Sequence, residues 1–123
     1  MVLSRDTLPL SAAVPATAIA LVLALFGLGA APAEAQSSEE IIRATWPDYE
    51  EDYAISIAAC ESGLDPGAYN PYSGAVGLFQ FMPSTAASLG YSSQEMYDPW
   101  TASTAAAQLQ DVAGWGQWGC AYY

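Results

Sequence analysis

Glu61-Ser-Gly-Leu-Asp-Pro-Gly-Ala-Tyr-Asn-Pro-Tyr-Ser-Gly-Ala-Val-Gly-Leu-Phe-Gln80 is the stretch on which the reading of this chain turns. It starts with one carboxyl at a helix-end signature, because Gly63 suits the left-handed position just past a last turn. Pro66, Pro71 and the glycines at 67, 74 and 77 then impose successive turns, with room for a short irregular hairpin. The stretch closes on an apolar segment, Ala75 to Phe81, interrupted by the amide of Gln80. A neutral amide among apolar side chains needs partners or a ligand.

Upstream, Trp46-Pro-Asp-Tyr-Glu-Glu-Asp52 reads as a helix start, with Pro47 at the first helical position and acids near the positive end of the dipole. Tyr49, Tyr53, Ile57 and Glu61 recur every four residues, which predicts a shared face turned inward. Glu61 then sits in a final turn, against the negative end of the dipole and beside apolar neighbours. Both conditions raise a carboxyl pKa.

Downstream, Pro83 to Leu89 reads as a short helix stopped by Gly90. Asp98-Pro99 opens another, whose stripe of Ala102, Ala105, Ala106, Leu109, Val112 and Ala113 ends at Gly114. The expected fold is therefore a small, mainly α domain with an irregular hairpin or loop region around a cleft.

The N-terminus reads differently. Arg5 precedes an almost uncharged run, and Ala33-Glu34-Ala35 offers the small residues of a cleavage site, so residues 1–35 are expected to be a secretory signal peptide. A retained anchor is the alternative, since the run is about 20 residues long and just spans a bilayer. Residues 36–44 are expected to be a flexible lead-in, and 45–123 the folded domain. After removal of the signal the protein is expected to be free of the membrane, in the medium or the cell wall.

Cys60 and Cys120 are the only cysteines. In an oxidising compartment an even pair in a small domain points to a disulfide, with two buried free thiols as the alternative. A bridge closing about 60 residues is worth roughly 4 kcal/mol in the chain-entropy picture.

The chain carries 13 acidic residues against 2 arginines, with neither Lys nor His, for a formal charge of −11. Basic patches for nucleic acid or anionic lipid cannot be assembled from it. A histidine-based metal site is likewise excluded, and no metal ligand set is expected. So large an acid excess repels itself in dilute buffer and is screened by salt, which suits a saline habitat.

Glu61 is the candidate general acid, since that role near neutral pH requires a carboxyl with a raised pKa. At this point the sequence resembles the secreted lytic transglycosylases of the SLT type, in the lysozyme-like superfamily. The resemblance lies in Glu61-Ser62, Asn70, Ser73-Gly74-Ala75, Gly77-Leu78-Phe79-Gln80, Met82-Pro83, Thr85-Ala86 and Gly90. The tail Trp115-Gly-Gln-Trp118-Gly-Cys120 is similar to the ending of compact, disulfide-closed members.

The resemblance implies a lysozyme-like fold and cleavage of the β-1,4 bond between N-acetylmuramic acid and N-acetylglucosamine in peptidoglycan. Glu61 would protonate the leaving oxygen and then act as base, while the substrate's own C6 hydroxyl attacks to give a 1,6-anhydromuramyl end. Ser62 would support Glu61 by hydrogen bonding. Gly77 and Leu78 would line the cleft, Gln80 would contact sugar, and Asn70 would hold the loop or touch substrate. No cofactor is implied, and the expected working unit is a monomer.

Phe79 stands where the family usually has methionine, and Ala102 and Leu109 stand near an expected asparagine and a Tyr-Leu pair. The assisting tyrosine is therefore open among Tyr69, Tyr72, Tyr91, Tyr97, Tyr122 and Tyr123. Asp65 and Asp98 read as turn and cap residues, not as second catalytic groups. A hydrolytic muramidase and a non-catalytic wall-binding module remain the rivals.

Overall fold

The computed structural model describes residues 35–122. Residues 1–34 of the expected signal sequence and Tyr123 lie outside the described residues. Four α-helices and three short 3-10 turns make up the described part, with no extended strand among them. No helix among the described residues is long and apolar enough to cross a membrane.

Helix α1 (Ser38–Thr45) replaces the expected flexible lead-in over 36–44, and the compact unit already begins at Gln36. The polar run is helix-start chemistry. Ser37 accepts the Glu40 N–H at 3.2 Å, and Glu39, Glu40 and Arg43 complement the dipole at its two ends. Ile41 and Ile42 are buried and supply the packing that so short a helix needs.

Pro47 ends α1 instead of opening the next helix. It forces Trp46 into an extended conformation (φ −108°, ψ 153°), and its carbonyl accepts the N–H groups of Glu50 and Glu51 in a turn. Helix α2 (Glu51–Ser62) starts four residues later than Pro47. Arg43 joins the two helices through Glu51 (2.6 Å) and Asp52 (2.9 Å), an exposed contact of small energetic weight.

The inward stripe of α2 is Ala54, Ile57 and Ala58, which continues to Glu61. The expected stripe through Tyr49 and Tyr53 is only partly realised. Tyr49 lies before the helix and is 86% exposed, and Tyr53 is 41% exposed with its ring edge-on to Trp115. Gly63, at φ 66°, closes α2 in the left-handed conformation expected of it.

The segment 64–82 holds the expected irregular hairpin in reduced form, as isolated antiparallel bridges Tyr69–Val76 and Val76–Phe81. Helix α3 (Pro83–Ser88) follows, then a 3-10 turn that buries Met96. Helix α4 (Pro99–Ala113) is capped by Asp98, which accepts the Thr101 N–H and hydroxyl at 2.9 and 2.7 Å. Its buried face is Ala102, Ser103, Ala105, Ala106 and Leu109; Val112, at the end of the expected stripe, faces solvent.

Small residues on α4 let α1 pack close against it. Ser103 is fully buried and meets the Thr45 hydroxyl (2.6 Å) and the Trp46 indole N–H (3.2 Å), so the polar group costs little. Beyond Gly114 the tail turns back across α2 and bonds Cys120 to Cys60, with Cα atoms 6.0 Å apart. An aromatic cluster of Trp46, Phe79, Trp115 and Trp118 fills the space beneath it.

Candidate active site

Glu61 projects from the last turn of α2 into a notch of about 60 Å³. The loop contributes Gln80, Phe81 and Met82 to its walls, and α3 and α4 contribute Thr85 and Leu109. The tail completes it with Gln117 and Trp118. Glu61 is half-buried, and the loss of water around its carboxyl raises its pKa above the ordinary glutamate value.

A larger groove, about 370 Å³, lies elsewhere, between the α1–α2 turn and α4, with Tyr49, Gln108 and Asp111 among its walls. Size alone favours it. The chemistry favours the notch, because burial raises the pKa of its Glu61 carboxyl. Pockets that enclose small molecules usually measure about 300–1,000 Å³. The notch lies far below that range, and its carboxyl singles it out where its size does not.

The loop floor is fixed from two directions. The Ser62 hydroxyl donates to the Leu78 carbonyl at 2.6 Å, with the Ala58 carbonyl at 3.0 Å sharing the proton. The Trp118 indole N–H donates to the Phe79 carbonyl at 3.1 Å. Gly77 permits the close approach that brings this floor down. It has φ 81°, and a Cβ there would lie 2.0 Å from the Met96 carbonyl oxygen.

Gln80 adopts the left-handed region at φ 51°, a conformation that non-glycine residues occupy at a cost. Its amide nitrogen donates to the carbonyls of Gly77 (3.0 Å) and Ala68 (3.4 Å). Those bonds hold the residue in place and leave its carbonyl oxygen as an acceptor.

Of the five residues expected to meet substrate, Gln80 alone is on the notch wall. Ser62, Gly77 and Leu78 form the floor behind it, Leu78 being fully buried. The Ser62 hydroxyl bonds the Leu78 and Ala58 carbonyls, and it makes no hydrogen bond to the Glu61 carboxyl among the described residues. Asn70 holds its own loop, its side-chain oxygen accepting the N–H groups of Tyr72 (2.9 Å) and Ser73 (3.4 Å).

Neither other carboxylate reaches the notch. Asp65 accepts the Gly67 N–H at 2.9 Å in a local turn. Asp98 caps α4, and its hydrogen bonds from Thr101 lower its pKa. Among the described residues no tyrosine lines the notch. Tyr72 is 98% exposed, Tyr69 is largely exposed, and the Tyr91 hydroxyl donates to Gln108 at 3.1 Å. The residue that sequence reasoning missed is Gln117. The signal for it was its place three residues before Cys120, whose partner precedes Glu61.

One half-buried glutamate, a pinned loop and a disulfide-closed tail agree with the resemblance, and the family comparison decides it: the Transglycosylase SLT domain family matches residues 40–118. The chain belongs to the SLT transglycosylase family. No curated protein and no solved structure gives a significant match. The matched span opens within α1 and ends at Trp118, so both the first helix and the tail wall belong to the SLT domain. At the level of that family the protein is a transglycosylase-type enzyme whose substrate is peptidoglycan.

Proposed function

We propose that the protein cleaves the β-1,4 bond between N-acetylmuramic acid and N-acetylglucosamine by lytic transglycosylation with Glu61 as its single acid/base. The observation that carries this is that Glu61 is the one carboxyl lining the notch among the described residues, with its pKa raised by burial.

The protonated carboxyl gives its proton to the glycosidic oxygen as the bond from C1 of the muramic acid breaks. The resulting carboxylate then takes the proton of the C6 hydroxyl, whose oxygen bonds to C1. No water is consumed and Glu61 ends as it began. Ordinary glycosidases use two carboxyls, about 5–5.5 Å or 6.5–9.5 Å apart, to place a nucleophile or a water. A single carboxyl suits the intramolecular route. Gln80 would offer its carbonyl oxygen to a sugar hydroxyl or amide N–H.

The substrate lies outside the cytoplasm, and a disulfide belongs to that compartment as well. With residues 1–35 read as a signal peptide, we place the enzyme among secreted or wall-associated proteins, acting as a monomer.

Purified cell walls should clear with wild type and not with Glu61→Gln; equal rates would overturn the assignment. Mass spectrometry of the released fragments separates the chemistries. Anhydro ends, lighter by one water than reducing ends, are expected, and reducing ends alone would make the enzyme a muramidase.

A further inference from the structure

Four polar side chains reach the notch: Glu61, Gln80, Thr85 and Gln117. A saccharide offers both hydrogen-bond donors and acceptors, so a binding cleft has to supply both. Gln80 has committed its N–H₂ group to Gly77 and Ala68, and it faces a ligand as an acceptor only. Gln117 is different. Its side-chain amide has no hydrogen bond among the described residues, and it keeps two donors and a carbonyl oxygen for a ligand.

An exposed glutamine on a loose tail would mean little. This tail is tied at three places around Gln117. The Trp118 indole donates to Phe79, the Tyr53 hydroxyl donates to the Ala121 carbonyl at 2.6 Å, and Cys120 is bonded to Cys60. A 3-10 turn over Trp115–Gln117 sets its backbone. Binding to a group already held in place loses less conformational freedom, which is the reason for anchoring a contact residue so firmly.

We propose that Gln117 is a saccharide-binding residue, donating its amide N–H to an oxygen acceptor of the glycan, an acetamido carbonyl or a hydroxyl, while Gln80 accepts from the other side of the contact. This rests on the glycan-cleaving reading of the notch and adds the tail as a second source of donors beside the Thr85 hydroxyl.

The test separates the two. Glu61→Gln, inactive under that reading, is titrated calorimetrically with a tetrasaccharide of alternating N-acetylglucosamine and N-acetylmuramic acid. Adding Gln117→Ala should weaken binding roughly three- to tenfold, the worth of one net hydrogen bond, at an unchanged melting temperature. Unchanged affinity overturns the role of Gln117 and leaves the function standing, whereas no binding by Glu61→Gln itself overturns both. As a second measure, Gln117→Glu in the active enzyme brings a like charge near Glu61 and should move the alkaline limb of the activity profile upward. An unmoved profile counts against the placement of Gln117 beside the carboxyl.

Discussion

The indole N–H of Trp118 donates to the carbonyl of Phe79 at 3.1 Å, joining two residues 39 positions apart in the buried floor of the notch. Trp118→Phe keeps most of the apolar volume and removes the donor, leaving the Phe79 carbonyl buried without its partner. The expected loss is about 1–3 kcal/mol of stability, measured by denaturant unfolding. Activity should fall more than stability alone explains, because the same carbonyl sets the loop that carries Gln80.

Ser62→Ala makes the matching cut from the α2 side. The Leu78 carbonyl loses its 2.6 Å partner, and a destabilisation of about 1–2 kcal/mol is expected. The pH dependence of activity should keep its midpoints, since the serine bonds the loop and not the Glu61 carboxyl. A shifted alkaline midpoint would show that Ser62 acts on Glu61 directly.

Gly77→Ala should be severely damaging. The added Cβ meets the Met96 carbonyl oxygen at 2.0 Å, and the residue is held at a positive φ as well. A loss of more than about 3 kcal/mol is expected, read as failure to accumulate folded protein or a collapsed melting transition. Near-wild-type melting would mean that the Met96 turn can move away freely.

Glu61 links function to stability with a definite sign. Its folded pKa is raised by desolvation, so between the ordinary glutamate value and that raised value the folded state binds more protons than the unfolded state. Its contribution is therefore lost as pH rises through this window. Glu61→Gln should melt higher than wild type at neutral pH and approach it in acid, by calorimetry across pH. The reverse ordering would falsify the desolvation account.

With 13 acidic residues against 2 arginines, added sodium chloride should raise the melting temperature steadily toward molar concentrations. A flat response would mean that the carboxylates are too far apart to repel.

Local chemistry made most boundaries legible. Gly63, Gly90, Gly114, Pro83 and Asp98 sit at the ends foreseen for them, because a positive φ, a missing N–H or a cap is decided within a few residues. What escaped depended on distance. Ile41-Ile42 is a single adjacent pair with no period to read, and its burial comes from α4 some sixty residues on. Pro47 was locally ambiguous instead: its ring fits a helix start, and the same ring holds Trp46 extended and so stops α1. The carboxyl of the site was visible at once. The place of Gln117 on its wall was not, because that residue comes to the notch only through tertiary closure of the tail.

The Cys60–Cys120 bond turns that closure into a covalent ring, and every residue that lines the notch, from Glu61 to Trp118, falls within it. A single proteolytic cut in any exposed turn between them would therefore open the ring without releasing a fragment. All the residues that line the notch stay in one molecule after its first nick.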